Sequence, residues 1–451
     1  MSREGAISVA GLGNLGQPLA ICLASRGFEV FGIDVNTTLI ESLASGRSTI
    51  AEPGVQELLT STKNHIVAST DHAIAIDQTD VTFVLVATPS ETSGRFSLTY
   101  LDKVLASLGT RLRESRKPSH LFIVGSTVSP GSAAHVAQVI AEASGRHLNK
   151  GFALCYCPEL IALGSAVNDF LNPDMVIIGE SNPEAGAQVD QIYDRLCVND
   201  PPHIHMSLEE AELAKLSLNC YLTLKISFAN TLAQLCESVP GADLDVITGV
   251  LQRDRRIGRG YLSGGLPYGG PCFPRDAAAF LEFAGRVGVP AHLVSAAEEV
   301  NRAQRDRVAK AVRAEMDLLE TDKITVLGIA FKENSAVLAG SVGVDLVETL
   351  LTDGAHVTVF DPLANEAAQR ALGLRVRYAD SLAHAIGASP VSVVMTRARE
   401  FTAILPSMFA YSPTAIIDCW RTLDSRKLGP TCRYTALGRT RAEALAPGTR
   451  D

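Results

Sequence analysis

The stretch AISVAGLGNLGQPLAICLASRGFEVFGID, residues 6–34, spells out a structural unit by itself. An apolar run, AISVAG, meets a glycine turn; LGNLGQPLAICLASRG continues with helical composition; FEVFGID is a second apolar run. Strand, turn, helix and strand in this order open a doubly wound α/β domain, since parallel strands need a crossover and a helix supplies it. Gly11, Gly13 and Gly16 form GxGxxG directly after the strand, where a pyrophosphate can lie against backbone N–H groups at the helix N-terminus. Asp34 ends the second strand, at the usual distance for a carboxylate that accepts from an adenosine ribose and repels a 2′-phosphate. The cofactor expected is NAD rather than NADP. The bland alternative is a tight turn followed by a solvated Asp.

Beyond residue 34 the apolar runs VTFVLVATP, HLFIVGSTV and MVIIGE alternate with helix-compatible segments such as LTYLDKVLASLGTRL. That alternation predicts a parallel sheet covered on both faces. Residues 1–200 are expected to form a Rossmann-like NAD-binding domain. Over 201–316 the strand signal disappears and long Ala-, Leu- and Glu-rich stretches carry helical spacing, so a central helical region follows. It is interrupted by GRGYLSGGLPYGGPCFPRD, residues 258–276, whose glycines and prolines predict an irregular loop. At DKITVLGIAF the strand pattern restarts, and VGVDLVETLLTDG, AHVTVFDP, PVSVVMT and TAIIDCW repeat the first domain's order. The fold class is therefore α/β, with two Rossmann-like doubly wound domains joined by a helical region; the second covers 317–435 and leaves 436–451 as a polar tail.

With 46% hydrophobic and 20% charged residues over 451 positions, the chain is globular and long enough for several cores. A net charge of −9 with dispersed Lys and Arg offers no footprint for a nucleic acid. The nine cysteines include no CxxC pair and no metal-ligand spacing, so a reducing compartment and no metal are expected. No apolar stretch approaches a membrane span, and the expected location is the cytoplasm.

Cys272 sits in YGGPCFPRD, among glycines and prolines that expose a side chain on an irregular loop. A cysteine is more often a small buried hydrophobe than a nucleophile. Here Arg275 could favour the thiolate and Asp276 could accept or orient a proton. Lys215 and Asn219, in AELAKLSLN, stand one helical turn apart and share a face; they could polarise one oxygen together or belong to a solvated surface.

The motifs in order resemble the UDP-glucose/GDP-mannose dehydrogenase family over most of the chain. The resemblance lies in GLGNLG, AEPGVQELL, VATPSETSGRFS, STVSPGS, CPELIALGSAVNDFLNPDMVIIG, AELAKLSLNCYLTLKISFANTLAQLCE, the RIG at 256–258 and GGPCFPRD. It implies an NAD-dependent, four-electron oxidation of a nucleotide-sugar C6 alcohol, UDP-glucose foremost, to the uronic acid. In that scheme Cys272 captures the aldehyde as a thiohemiacetal and is carried through a thioester. Asp276 orients water and the reacting hydroxyl, Lys215 and Asn219 stabilise oxyanion character, and Glu159 and Thr127 serve the hydrolytic step. The resemblance also places Leu15, Thr88, Thr127 and Arg275 beside the glycines and Asp34 at the cofactor. At the substrate it places Glu159, Lys215, Asn219, Arg256, Tyr261, Tyr268, Gly269, Phe331 and Lys332. A homodimer built on the long central helix is implied, with Arg256 reaching across it.

Two departures from the family's pattern stand out. Ala162 and Leu163 replace an Arg-Glu pair after Glu159, removing a second carboxylate from the hydrolytic step. FKENSAVLAGS stands for FK-x-x-T-D-D-x-R-E-S, so Lys332 and Ser341 remain while Ala336, Val337, Ala339 and Gly340 replace charged or polar groups. Lost polar contacts alter discrimination between ligands, so GDP-mannose, a UDP-N-acetylhexosamine or another nucleotide-linked alcohol are the alternative substrates, and a nucleotide-sugar-binding protein without turnover is the alternative class.

Overall fold

The computed structural model describes residues 5–440. They pack as two units, one comprising residues 5–218 and Ala278–Val287, the other Asn219–Ala277 and residues 288–440.

In the first unit the strands lie in the order Ile66–Ser69, Glu29–Ile33, Ala6–Ala10, Val81–Val84, Leu121–Val124, Gly151–Tyr156, Val176–Glu180, His203–Met206. The chain starts at Ala6–Ala10, builds outward to one side and then crosses over to the other. Such a reversal opens a crevice at the carboxyl ends of the strands, where ligands of these sheets bind. Neighbouring strand residues bury into opposite faces: Leu121 and Ile123 join the core containing Leu19 and Leu23, while Phe122 and Val124 join the one containing Leu105 and Leu112. Both faces are covered, as continuous apolar strands require.

All five strands expected before residue 200 form, and Ile66–Ser69, Gly151–Tyr156, His203–Met206 and the short His147–Leu148, which pairs with Gly151–Tyr156, join them. Ile66–Ser69 and His203–Met206 are the sheet edges, four residues each with none buried, so neither carries an apolar run long enough to announce a strand. The sheet is not wholly parallel: Val176–Glu180 runs antiparallel to Gly151–Tyr156.

Helices Leu208–Ser238, Leu244–Leu251, Phe273–Arg286 and His292–Leu318 fill the middle of the chain, with no strand among them. The loop expected over 258–276 ends earlier than its prolines suggest, because Phe273-Pro274-Arg275-Asp276 is already the first turn of a helix. A first turn tolerates proline, since its N–H groups have no partner within the helix.

In the second unit six parallel strands lie in the order Arg377–Tyr378, His356–Phe360, Lys323–Leu327, Val391–Val394, Thr414–Asp418, Cys432–Ala436. The reversal recurs at Lys323–Leu327. Ile324, Val326, Val391 and Val393 enter one core and Leu327, Val394 and Ile416 the other. Past Ala436, Gly438 N–H donates to Glu237 at 2.6 Å and Thr440 Oγ1 to the Val239 carbonyl at 2.7 Å. Residues 441–451 of the tail lie outside the described residues.

Candidate active site

In the first unit the glycine turn divides its labour. Gly11 has φ +92°, and a Cβ there would sit 2.4 Å from the Leu85 carbonyl oxygen; one on Gly16 would sit 1.8 Å from that of Gly11. Those two glycines let strand and helix close up. Gly13 is different, because a Cβ there meets no protein atom within 4 Å. The space beside its backbone suits a pyrophosphate, and the residues present fit NAD. Asp34 is anchored by the Leu12 N–H at 2.8 Å and the Asn36 N–H at 2.9 Å. A carboxylate has four lone-pair sites, so two ribose hydroxyls can still be accepted. Leu15, half-buried, packs on the core as the residue preceding helix Gly16–Ser25.

Thr88, at the Thr-Pro turn, donates its hydroxyl to the Thr127 carbonyl at 2.7 Å and so pins the STV segment. Lys215, 7% exposed on helix Leu208–Ser238, donates Nζ to the Glu159 carbonyl at 2.8 Å. The Glu159 Oε1 is buried, with no hydrogen-bond partner among the described residues. Desolvation pushes this carboxyl up to about 8, with the Lys215 ammonium pulling the other way. A carboxyl tuned into that range can exchange a proton near neutral pH.

In the second unit Asn219, 6% exposed and one turn beyond Lys215 on the same helix, donates Nδ2 to Asp276 Oδ2 at 2.5 Å. Asp276 is buried, with Arg275 Nε 3.5 Å from its other oxygen. Lys215 and Asn219 are therefore buried, and the solvated-face alternative falls away. Cys272 is exposed, and its carbonyl accepts the Asp276 N–H at 2.8 Å, so the thiol stands at the N-terminus of helix Phe273–Arg286. That end of a helix favours a thiolate. Seven of the other eight cysteines are buried.

Around Cys272, the rings of Tyr261 and Tyr268 approach Phe273 edge-on at 6.0 and 6.3 Å. Tyr261 holds φ +60°, a left-handed conformation rare for a bulky residue. Gly269 passes so close to the 331–341 segment that a Cβ would lie 2.3 Å from the Gly340 carbonyl oxygen, and one on Gly270 would strike the Phe331 ring. Lys332 Nζ lies 5.6 Å above that ring. Ser341 caps helix Val342–Thr352 through the N–H groups of Gly343 and Val344. The segment between them keeps its turn through Phe331 N–H to the Val337 carbonyl at 3.0 Å. Arg256 is exposed and turned back onto Asp254, at 2.6 Å.

Three further residues organise these clusters. The Glu212 carboxylate accepts from the Gly131 and Ala133 N–H groups, 2.6 Å each, at the start of helix Ser132–Ser144. Glu52, in the AEPG motif, takes the Gly164 N–H on both oxygens at 2.7 and 2.8 Å. Glu298 accepts from the Tyr268 hydroxyl. Glu212 lies three positions before Lys215, a spacing that marks one helix face, whereas Glu52 is 112 positions from Gly164 and carries no local signal.

Models of the NAD-binding, central and UDP-binding domains of the UDP-glucose/GDP-mannose dehydrogenase family match residues 5–197, 209–303 and 325–425. A UDP-glucose 6-dehydrogenase of Haloferax volcanii is 34% identical over 425 residues, 93% of this chain and 98% of that protein. A GDP-mannose 6-dehydrogenase of Pseudomonas aeruginosa is 32% identical over 363 residues, 79% and 80% of the two. The solved UDP-glucose dehydrogenase of the hyperthermophilic archaeon Pyrobaculum islandicum has a TM-score of 0.87 at 31% identity, over 97% of this chain and 99% of that one.

Proposed function

The chain belongs to the UDP-glucose/GDP-mannose dehydrogenase family, NAD-dependent nucleotide-sugar 6-dehydrogenases, and from that premise we propose that it oxidises the C6 alcohol of UDP-glucose to the carboxylate through a thioester on Cys272. The observation that carries the covalent step is the exposed Cys272 thiol at a helix N-terminus, one turn before a buried Asp276 that Asn219 and Arg275 hold. NAD, when bound, would supply the hydride acceptor, one molecule for each of the two oxidations in turn.

The chain's own groups account for the rest. Asp276 receives the proton of the C6 hydroxyl as the alcohol becomes an aldehyde, and the Cys272 thiolate adds to the aldehyde carbon. Lys215 and Asn219 provide donors for the oxygen that gains charge, a stabilisation that is large where water is excluded. After the second oxidation Glu159, deprotonated, takes a proton from the water that attacks the thioester, and Thr127, held by Thr88, orients that water. Arg256, Tyr261, Tyr268, Gly269, Phe331 and Lys332 contribute to holding the nucleotide sugar.

UDP-glucose is preferred because the Haloferax relative is matched over 93% of this chain and the Pseudomonas GDP-mannose enzyme over 79%. We place the protein in the cytoplasm, in keeping with nine cysteines and no disulfide among the described residues. No helix of the described residues is long and apolar enough to cross a membrane. We also assign a homodimer, supported by an apolar row on helix Leu208–Ser238: Tyr221, Phe228 and Leu235 recur every seven residues and are 60%, 54% and 57% exposed.

The deciding experiment measures NADH formed per molecule of limiting UDP-glucose, GDP-mannose and UDP-N-acetylhexosamines. Two NADH and an acid from UDP-glucose are expected. One NADH with accumulating aldehyde would remove Cys272 from the chemistry, and turnover confined to another sugar nucleotide would remove UDP-glucose.

A further inference from the structure

Residues 261–272 belong to no helix or strand, so their buried backbone groups must find partners elsewhere. Three side-chain amides provide them. Asn230, fully buried, accepts from the Gly265 N–H at 2.7 Å and donates to the Leu266 carbonyl at 3.1 Å. Asn301, 4% exposed on helix His292–Leu318, accepts from the Tyr268 N–H at 2.7 Å and donates to the Tyr268 carbonyl at 3.0 Å. Gln304, one turn further on, donates to the Gly265 carbonyl. Asn301 thus takes both polar groups of one loop residue, as a paired strand residue does in a ladder.

We propose that Asn301 is a positioning residue for Cys272, fixing Tyr268 so that the thiol is presented in one place. The inference rests on the reading of Cys272 as the nucleophile. Only Gly269, Gly270 and Pro271 separate the two residues. Gly270 N–H is bound to the Gly340 carbonyl at 2.8 Å, proline restricts its own φ, and the Cys272 carbonyl accepts the first bond of the following helix. The thiol is therefore held at both ends of a short segment. Without the clamp on Tyr268, the loop side of the thiol keeps the Gly270 bond to the Gly340 carbonyl as a backbone anchor, and Gly269, which has no side chain to restrict it, lets that side of the tether slacken. Glu298 engages the tyrosine hydroxyl, which leaves the backbone of Tyr268 to Asn301. An aspartate in this place would keep the size and one acceptor but could not, as a carboxylate, donate to the carbonyl.

The test compares the full-length chain with its Asn301→Asp, Asn301→Ala and Cys272→Ala variants. Iodoacetamide alkylation of Cys272 is timed by peptide mass mapping, beside kcat, KM for NAD and Tm. In folded Asn301 variants the alkylation rate should change and kcat fall roughly 10- to 100-fold, the effect of small misplacements of a reacting group, while KM for NAD holds within about twofold. Wild-type alkylation and kcat in Asn301→Ala, with Cys272→Ala inactive, would overturn the positioning role. So would joint unfolding of both Asn301 variants, which would assign the amide to bulk stability. Acid formation at the wild-type rate by Cys272→Ala would instead sink the reading beneath it.

Discussion

Gly13 and Gly16 stand three residues apart and are glycines for different reasons, which substitution separates. A methyl on Gly16 collides with the Gly11 carbonyl, whereas one on Gly13 meets no protein atom. Gly16→Ala should therefore lower both Tm and NAD affinity. Gly13→Ala should leave Tm in place and weaken NAD by about tenfold or more, if the pyrophosphate lies against its backbone; calorimetry with a fluorescence titration reads both. Glu159 gives a second prediction. Its carboxyl is raised to about 8 by burial, and a base acts deprotonated, so acid release should climb as pH rises toward that value. Glu159→Gln should lose the climb and accumulate a sugar ester on Cys272, detectable as added mass on the intact protein. The glycine turn and Asp34 were legible because a strand-turn-helix-strand order is written in short spacings, and the shared face of Lys215 and Asn219 because they stand four residues apart on one helix. Their contacts were not: Lys215 meets Glu159 across 56 positions and Asn219 meets Asp276 across 57, separations that leave no local pattern.

Helix Ser132–Ser144 begins at Gly131 with no cap from its own sequence, and Glu212 fills that role from helix Leu208–Ser238. A helix start without its acceptor leaves buried N–H groups unsatisfied. Glu212→Ala should cost about 1–3 kcal/mol, at about 2–4 °C of Tm per kcal/mol in a unit of this size. An unchanged melting curve would show the cap to be dispensable. Elements differ in how plainly the sequence displays them. Ala6–Ala10 and Val391–Val394 are buried throughout and apolar but for one serine each, Ser8 and Ser392, and such runs read as strands. Edge strands such as His203–Met206 bury little, so their pattern is weak and only their pairing with Val176–Glu180 defines them. The helix start at Phe273 was hidden for another reason, since proline reads as a breaker unless its place in the first turn is known.

At the scale of the molecule, the row of Tyr221, Phe228 and Leu235 spans about 21 Å of helix, at 1.5 Å per residue. If a second copy covers it, Phe228→Glu should convert a particle of twice 47.9 kDa into one of 47.9 kDa in sedimentation equilibrium; an unchanged mass would place the subunit contact elsewhere. Whole-molecule stability also feels Glu159. Its folded value of about 8 stands above the ordinary 4.5, so the native chain binds more protons than the unfolded chain between those limits. The contribution is fully present below 4.5 and is lost as pH rises through 8. Glu159→Gln cannot lose a proton, so its Tm should fall less steeply than that of the parent between pH 5 and 8. A carboxylate stripped of water is a frustrated site: the deprotonated form that the proposed hydrolysis calls for is the form whose burial this one position supports least.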